Sequence, residues 1–206
     1  MRGQYLGFKC IVLLYLALGW RASAAEGVYF GSSVSSVEAE YESNITLTGG
    51  SSLADQDDGV KVFGGYRFNS LLAIEVQYMK FGEITLTMPS GSTVTKSGVL
   101  VTNSGGSTAI TNYEPESLGF GGMLTIPFQA VQPYLKYGVH NWDTSKAVGV
   151  GSADVFGANA DGTDLYRGFG FDIPLNDLFF TRLEYEVYDF DDDKLSVFNW
   201  GIFLQF

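Results

Sequence analysis

After residue 26 the chain is dominated by one pattern: apolar and polar residues alternate singly, in segments of about 9–12 residues, the length a tilted strand needs to cross a bilayer. A period of two marks strands with two chemically different faces. No run of about 20 apolar residues follows the N-terminal stretch, so a membrane-spanning helix is not expected there. If such a chain enters a membrane, it must do so as a closed barrel, because every backbone N–H and C=O then finds a partner within the protein.

The last segment is the clearest. Phe198, Trp200, Ile202, Leu204 and Phe206 alternate with Asn199, Gly201 and Gln205. In all, segments are read at 27–41, 59–68, 71–81, 116–127, 131–142, 164–174, 179–190 and 195–206. Long connections rich in Ser, Thr, Gly, Asn and Asp (42–58, 82–115, 143–163) alternate with short ones: Asn69-Ser70, Phe128-Gln129-Ala130 and Pro174-Leu175-Asn176-Asp177-Leu178. The last connection, Asp191-Asp192-Asp193, is short although its place is that of a long one. Long loops on one side and short turns on the other are the arrangement of outer-membrane barrels, whose short turns are periplasmic. The fold expected is all-β, an eight-stranded antiparallel up-and-down transmembrane β-barrel, from one domain at 25–206.

The faces then have chemical identities. Val60, Val62 and Tyr66 oppose Lys61 and Arg67; Leu72, Ile74, Val76 and Tyr78 oppose Glu75 and Gln77. Leu135, Tyr137 and Val139 oppose Gln132, Lys136 and His140, while Leu183, Tyr185 and Val187 oppose Arg182, Glu184 and Glu186. A soluble barrel would turn the apolar face inward, a membrane barrel outward. Gly119, Gly121, Gly168, Gly170 and Gly201 share the polar face, where small residues suit a narrow lumen, and this favours the membrane solution. Tyr41, Tyr78, Phe81, Tyr113, Trp142, Tyr166, Tyr188 and Phe190 fall near the long loops, and Phe30, Tyr66, Phe68, Phe128, Phe179 and Phe180 near the short turns. Two aromatic girdles at the membrane interfaces are expected from that placement.

Residues 1–24 read as a signal peptide: Arg2 and Lys9 at the start, an apolar core from Cys10 to Trp20, and Ala22-Ser23-Ala24 as the cleavage pattern. Its removal takes Arg2, Lys9 and Arg21 with it and moves the formal charge from −11 to −14. It also removes the only cysteine, which excludes disulfide and thiol chemistry and suits an oxidising compartment. So acidic a surface is unsuited to nucleic acid.

Gly64-Gly65-Tyr66-Arg67-Phe68, Leu72-Ala73-Ile74-Glu75-Val76-Gln77-Tyr78, Pro133-Tyr134-Leu135-Lys136-Tyr137-Gly138 and Thr181–Phe190 together resemble the outer-membrane β-barrel family that includes the OmpA transmembrane domain, OmpX and the opacity-type proteins. The resemblance covers residues 25–206 and is one of pattern. It implies the outer membrane of a Gram-negative bacterium, a monomer among lipid and lipopolysaccharide, and assembly by the barrel-assembly machinery. Phe198, Trp200, Ile202, Leu204 and Phe206 resemble that machinery's terminal signal. On this resemblance the chain is expected to lack the peptidoglycan-binding domain that full OmpA carries.

Four features could carry function. Lys61, Arg67, Glu75, Lys136, Asp172, Arg182, Glu184 and Glu186 all face the lumen and are expected to form a salt-bridge network that plugs it, or a gated path for small solutes. His140, the one histidine, would need a neighbouring Ser and an acidic group to act in a lipid-modifying enzyme; none lies two residues away on its strand, which leaves a partner on a neighbouring strand open. Asp55, Asp57 and Asp58, with Asp189, Asp191, Asp192 and Asp193, are either a divalent-cation site or a solvated acidic rim, and match no known calcium-loop spacing. In loop 82–115, Thr93-Val94-Thr95, Val99–Thr102 and Thr108–Thr111 have high β-propensity, which suits either a hairpin rising above the membrane, whose edge could take host or surface molecules, or a flexible, variable loop. No cofactor or metal motif is present. The function expected is a non-enzymatic envelope protein acting in adhesion through its loops; a narrow channel and a lipid-modifying enzyme are the alternatives.

Overall fold

The strand pattern continues well past the length needed to cross a membrane. The computed structural model describes residues 26–41, 45–96, 98–128, 130–148, 160–191 and 193–206. The expected signal peptide, Ser97, Gln129, Asp192 and parts of the first and third long connections lie outside them. The strands are β1 (Gly27–Tyr41), β2 (Thr46–Thr48), β3 (Ser52–Ala54), β4 (Gln56–Arg67), β5 (Leu72–Lys80), β6 (Ile84–Met88), β7 (Thr93–Lys96), β8 (Val99–Thr102), β9 (Ala109–Thr125), β10 (Gln132–Val148), β11 (Ala160–Pro174), β12 (Phe179–Phe190) and β13 (Asp193–Gln205).

Eight of them close a ring in the order β1-β4-β5-β9-β10-β11-β12-β13, each antiparallel to its neighbours, with β13 returning to β1. At the closing seam Val34 lies between Trp200 of β13 and Val60 of β4. Closure leaves no strand edge open to lipid. Among the described residues no helix is long and apolar enough to cross a membrane, so the crossing is made by strands.

Most large exposed apolar side chains form one belt around the outside, with Val34, Val62, Val76, Phe120, Tyr137, Phe169 and Trp200 within it; Leu47, Leu100 and Ile110 are exposed elsewhere. Glu40, Asp58, Lys80, Glu116, Arg167 and Asp189 bound the belt on the side of the long connections. About nine residues per strand, tilted by about 40°, give a band of roughly 25 Å, the height of a barrel's apolar zone. The short turns are built from side chains. Asn69 Oδ1 accepts from the N–H groups of Leu71 and Leu72 at 2.8 and 2.9 Å, and Asn176 Oδ1 from those of Leu178 and Phe179 at 2.9 and 2.8 Å. At the opposite end β12 and β13 join through a two-residue turn in which Asp191 takes φ +50°, the left-handed region that tight hairpins require and Asp tolerates.

Residues 82–115 are not a loop. Ile84–Met88 pair with Ala109–Tyr113, so β6 and the upper part of β9 continue the sheet above the membrane, and β3 adds to its edge through Leu53 opposite Leu86. A second sheet, β2-β7-β8, packs on this one. Leu86, Met88, Val94, Ala109 and Tyr113 are buried between them, with Ile45, Leu53, Ile84 and Val101 around the margin. Gly98, at φ +79°, makes the β7–β8 turn, and Gly49, at φ +67°, stands in the connection from β2 to β3. The first and second long connections therefore form a double-layered cap with its own apolar core. Lys96 Nζ ties the cap to the β12–β13 turn at Asp193 Oδ2, 2.7 Å away.

Candidate functional site

Inside the barrel, alternate residues of all eight strands point at one another across a space too narrow for water to fill freely. The structure brings Lys61, Arg67, Glu75, Lys136, Asp172, Arg182, Glu184 and Glu186 there, all buried. Four cations meet four carboxylates, and each carboxylate touches at least two cations, Glu184 reaching a third in Arg182 at 3.9 Å. Glu75 lies 2.6 Å from both Lys136 and Arg182; Asp172 lies 2.8 Å from Arg182 and 3.2 Å from Arg67. Glu186 lies 2.7 Å from Lys61 and 3.1 Å from Lys136, and Glu184 pairs with Lys61 and, at 2.6 Å, with Lys136. Neutral side chains occupy further lone pairs: the hydroxyls of Tyr29, Tyr134 and Tyr188 donate to Glu75, Glu184 and Glu186 at 3.0, 2.5 and 2.8 Å, and Asn199 Nδ2 donates to Glu186 at 3.0 Å. Buried charge is tolerable only when paired and hydrogen-bonded in this way.

Aromatic layers close the network on both sides. Toward the short turns the Arg182 guanidinium sits over Phe63, Tyr134, Phe203 and Tyr29, at 4.6, 4.9, 5.0 and 5.8 Å from the ring centres. Such contacts stabilise a desolvated cation by about 2 kcal/mol. Toward the cap, Tyr166 and Tyr188 stack at 5.4 Å, and Phe81 meets Tyr188 edge-on at 4.9 Å. The lumen glycines make room for these rings: a Cβ on Gly170 would strike the Tyr134 hydroxyl, and one on Gly138 the Tyr166 ring.

Part of the expected outer girdle is therefore misplaced. Phe81, Tyr113, Trp142, Tyr166 and Tyr188 are buried inside the barrel or cap, and Phe180, expected near the short-turn interface, is buried in the lower aromatic layer. The reason is parity: Tyr166 shares its face with Gly168, Gly170 and Asp172, and Tyr188 with Arg182, Glu184 and Glu186. Tyr66, Phe68, Phe128 and Phe179 do lie on the outside near the short turns.

His140 has a serine beside it that its own strand does not supply. Ser117 of β9 lies 2.9 Å from His140 Nδ1, and the Asp189 carbonyl lies 2.9 Å from Nε2. A carbonyl can only accept, so Nε2 carries the proton and Nδ1 accepts from Ser117. Both side chains are buried, and the rings of Tyr166, Tyr188 and Phe190 stand 5.2–6.1 Å from the imidazole, filling the space a substrate would need. The pairing Gly119↔His140 is what places Ser117 there, a register that only the assembled ladder reveals.

Of the acidic candidates, Asp57 accepts from the Glu83 N–H at 2.7 Å, Asp189 pairs with Arg167 at 3.0 Å, and Asp193 pairs with Lys96. Among the described residues no three His, Cys, Asp or Glu side chains converge on a point that could hold a metal ion. Phe198, Trp200, Ile202 and Phe206 lie on the lipid-facing side of β13 with Leu204 half-buried among them; Phe206 donates its N–H to Val28 at 2.9 Å and stacks on Phe30 at 5.8 Å.

A family model described as outer membrane protein beta-barrel domain matches residues 10–206. No curated protein matches the sequence. Among solved structures the chain is similar to Ail, the attachment invasion locus protein of Yersinia pestis, at 16% identity over 88% of this chain and 100% of that one, with a TM-score of 0.55. Ail has also been solved in complex with the heparin analogue sucrose octasulfate. Neisserial surface protein A matches at 15% identity, 87% and 97% coverage and a TM-score of 0.53, and OprG from Pseudomonas aeruginosa at 15%, 88% and 97%, and 0.50. At these identities the likeness is one of fold.

Proposed function

The chain belongs to the outer membrane β-barrel family, and on that premise we propose that it is a non-enzymatic, non-conducting surface protein of the Gram-negative outer membrane that adheres through its extracellular cap. In this reading residues 1–24 are removed on export, and the alternation ending in Phe206 directs barrel assembly. The monomer is anchored among lipopolysaccharide and phospholipid, and its lumen charges serve to fill and lock the barrel.

The observation that carries the reading is the cap itself. Segments of 82–115 that only needed to connect two strands bury Leu86, Met88, Val94, Ala109 and Tyr113 in a core outside the membrane. Most loops expend no such burial, and structure held rigidly above a membrane is suited to presenting a surface. Below it, the paired charges and the two aromatic layers occupy the lumen, which supports the plugged-barrel reading over the channel alternative. Ail's printed complex is with a sulfated sugar, but this chain carries a net charge of −11, so a polyanion is a poor fit for its surface.

Two measurements test the proposal. Thr85 pairs with Asn112, so replacing 86–111 by Asn-Gly closes β6 onto β9 with a two-residue hairpin and spares the barrel. Bacteria displaying this variant are expected to keep a heat-modifiable barrel and to lose adhesion to host or neighbouring cells; undiminished adhesion overturns the reading. In planar bilayers the refolded full-length protein is expected to give no steady conductance.

A further inference from the structure

The outward face of the cap's second sheet has an unusually uniform chemistry. The pairings of β2, β7 and β8 set Thr46, Thr95 and Leu100 in one cross-strand row and Thr48, Thr93 and Thr102 in the next. The opposite face of the same sheet carries Val94 and Val101 into the cap core, so these six side chains point away from the protein. Thr46, Thr48, Leu100 and Thr102 are exposed, and Thr93 and Thr95, on the central strand, are half-buried. The rows are about 4.8 Å apart between strands and about 6.7 Å apart along them. Thr48 and Thr93 join their hydroxyls, whereas those of Thr46, Thr95 and Thr102 have no side-chain partner among the described residues. None of the six is charged, although Asp55, Asp57, Asp58, Glu83 and Glu114 are all in the same extramembrane part of the chain.

We propose that this threonine face is a binding surface for a neutral polysaccharide. The inference rests on the cap being the adhesive part of the molecule and names its ligand. Each threonine presents a hydroxyl that both donates and accepts, beside a methyl group, and β-branching holds it to few rotamers, so little entropy is lost on binding. A flat lattice of hydroxyls and methyls matches a pyranose chain, whose ring faces also mix hydroxyls with C–H groups. The carboxylates elsewhere in the extramembrane part repel a polyanion, and no charge on the face itself favours a charged partner of either sign. The face also lacks the Trp, Tyr and Arg that anchor protein partners. Among the described residues β8 pairs on one side only, so a ligand can extend past Leu100 without meeting another of their strands.

The experiment measures binding of the micelle-refolded protein to immobilised dextran, mannan and galactan, with dextran sulfate as the charged counterpart. The protein is expected to bind at least one neutral polymer and to discriminate against the sulfate. A variant carrying Thr46→Val, Thr95→Val and Thr102→Val keeps shape and β-propensity and removes only hydroxyls; it is expected to bind at least tenfold more weakly, while Thr87→Val on the other layer binds as the parent does. Heat-modifiable migration confirms that each variant is folded. Binding to dextran sulfate alone, to none of the neutral polymers, or equally by the triple variant overturns the proposal. If the Asn-Gly variant loses cell adhesion and the triple valine variant keeps it, this inference fails while the adhesive cap stands; if the Asn-Gly variant still adheres, the cap reading itself fails.

Discussion

The barrel and the cap share strands but reverse the chemistry of their faces, and β9 crosses the border between them. Its odd-numbered residues point inward throughout, from Ala109 to Thr125. Above Glu116 the inward positions Ala109 and Tyr113 join an apolar core, and the outward ones include Asn112, Glu114 and Glu116. Below it the inward positions include Ser117, Gly119 and Gly121, with Met123 in the lower aromatic layer, and the outward ones include Leu118, Phe120 and Leu124. Water surrounds the cap, so its apolar side chains turn in; lipid surrounds the barrel, so they turn out and charges fill the interior. The two regions are consequently stabilised by different forces. The cap rests on the hydrophobic effect, which scales with buried area and degrades gradually. The lumen rests on mutual compensation of buried charges, where losing one partner strands another.

Arg182→Ala should produce the largest effect and is the sharpest test of that contrast. It leaves Glu75 and Asp172 each short of a cation and empties the centre of the aromatic layer. Removing one member of a buried ion pair costs about 3–5 kcal/mol. Urea unfolding in lipid vesicles should show a loss of that size, with less heat-modifiable barrel on refolding. A loss below about 1 kcal/mol would mean that water already solvates the lumen, and the contrast with the cap would collapse.

Leu86→Ala probes the other side. Leu86 is buried in the cap core, and truncating such a residue costs about 2–5 kcal/mol. The cost should fall on the cap alone. Limited proteolysis is expected to nick residues 84–113 at lower protease concentrations than in the parent while the barrel keeps its unfolding midpoint. A matching fall in the barrel's midpoint would show the two regions to be one cooperative unit.

The same reversal decides what was legible in the sequence. The extent of β12, and that of β13 to within two residues of its start, are legible in the sequence, as are the faces of Arg182, Glu184 and Glu186 and of Phe198, Trp200 and Ile202. The eight lumen charges followed from parity alone, since a residue's face in a strand is set by whether its number is odd or even. The alternation places the start of β9 at 116, seven residues late, because there the apolar set changes face and a single constant phase ends. The cap escaped notice as a cored unit because β2, β3 and β8 are three or four residues long, too short for a period to register. Ser117 beside His140 depended on the β9–β10 register, which no single strand encodes. Tyr166 and Tyr188 stand near strand ends, where a girdle is expected, but their parity turns them inward.

Gly170→Val tests how closely the lumen is packed. An added Cβ meets the Tyr134 hydroxyl and the Leu183 carbonyl. Tyr134 cannot retreat without giving up its bond to Glu184. Overpacking of this kind costs about 1–3 kcal/mol, so the vesicle unfolding midpoint should fall by less than in Arg182→Ala. A neutral result would mean that the ring has somewhere to go and that the lumen contains slack.

Lys96→Ala should have the smallest effect, and it bears on whether the two regions communicate. The pair with Asp193 joins β7 of the cap to the β12–β13 turn of the barrel, and both side chains are one-fifth exposed. A pair this wet contributes about 0.2–1 kcal/mol, and salt weakens it further. Neither core depends on it, so the unfolding midpoints of cap and barrel should both hold. What it can change is how tightly the cap is held to the mouth. Hydrogen exchange in Thr93–Thr102 is therefore expected to quicken by at most about fivefold at low ionic strength and to match the parent in high salt. Quickening that reached Leu86 and Tyr113 would mean that the bond supports the cap core itself, and the cap would then be an outgrowth of the barrel rather than a second folded layer standing on it.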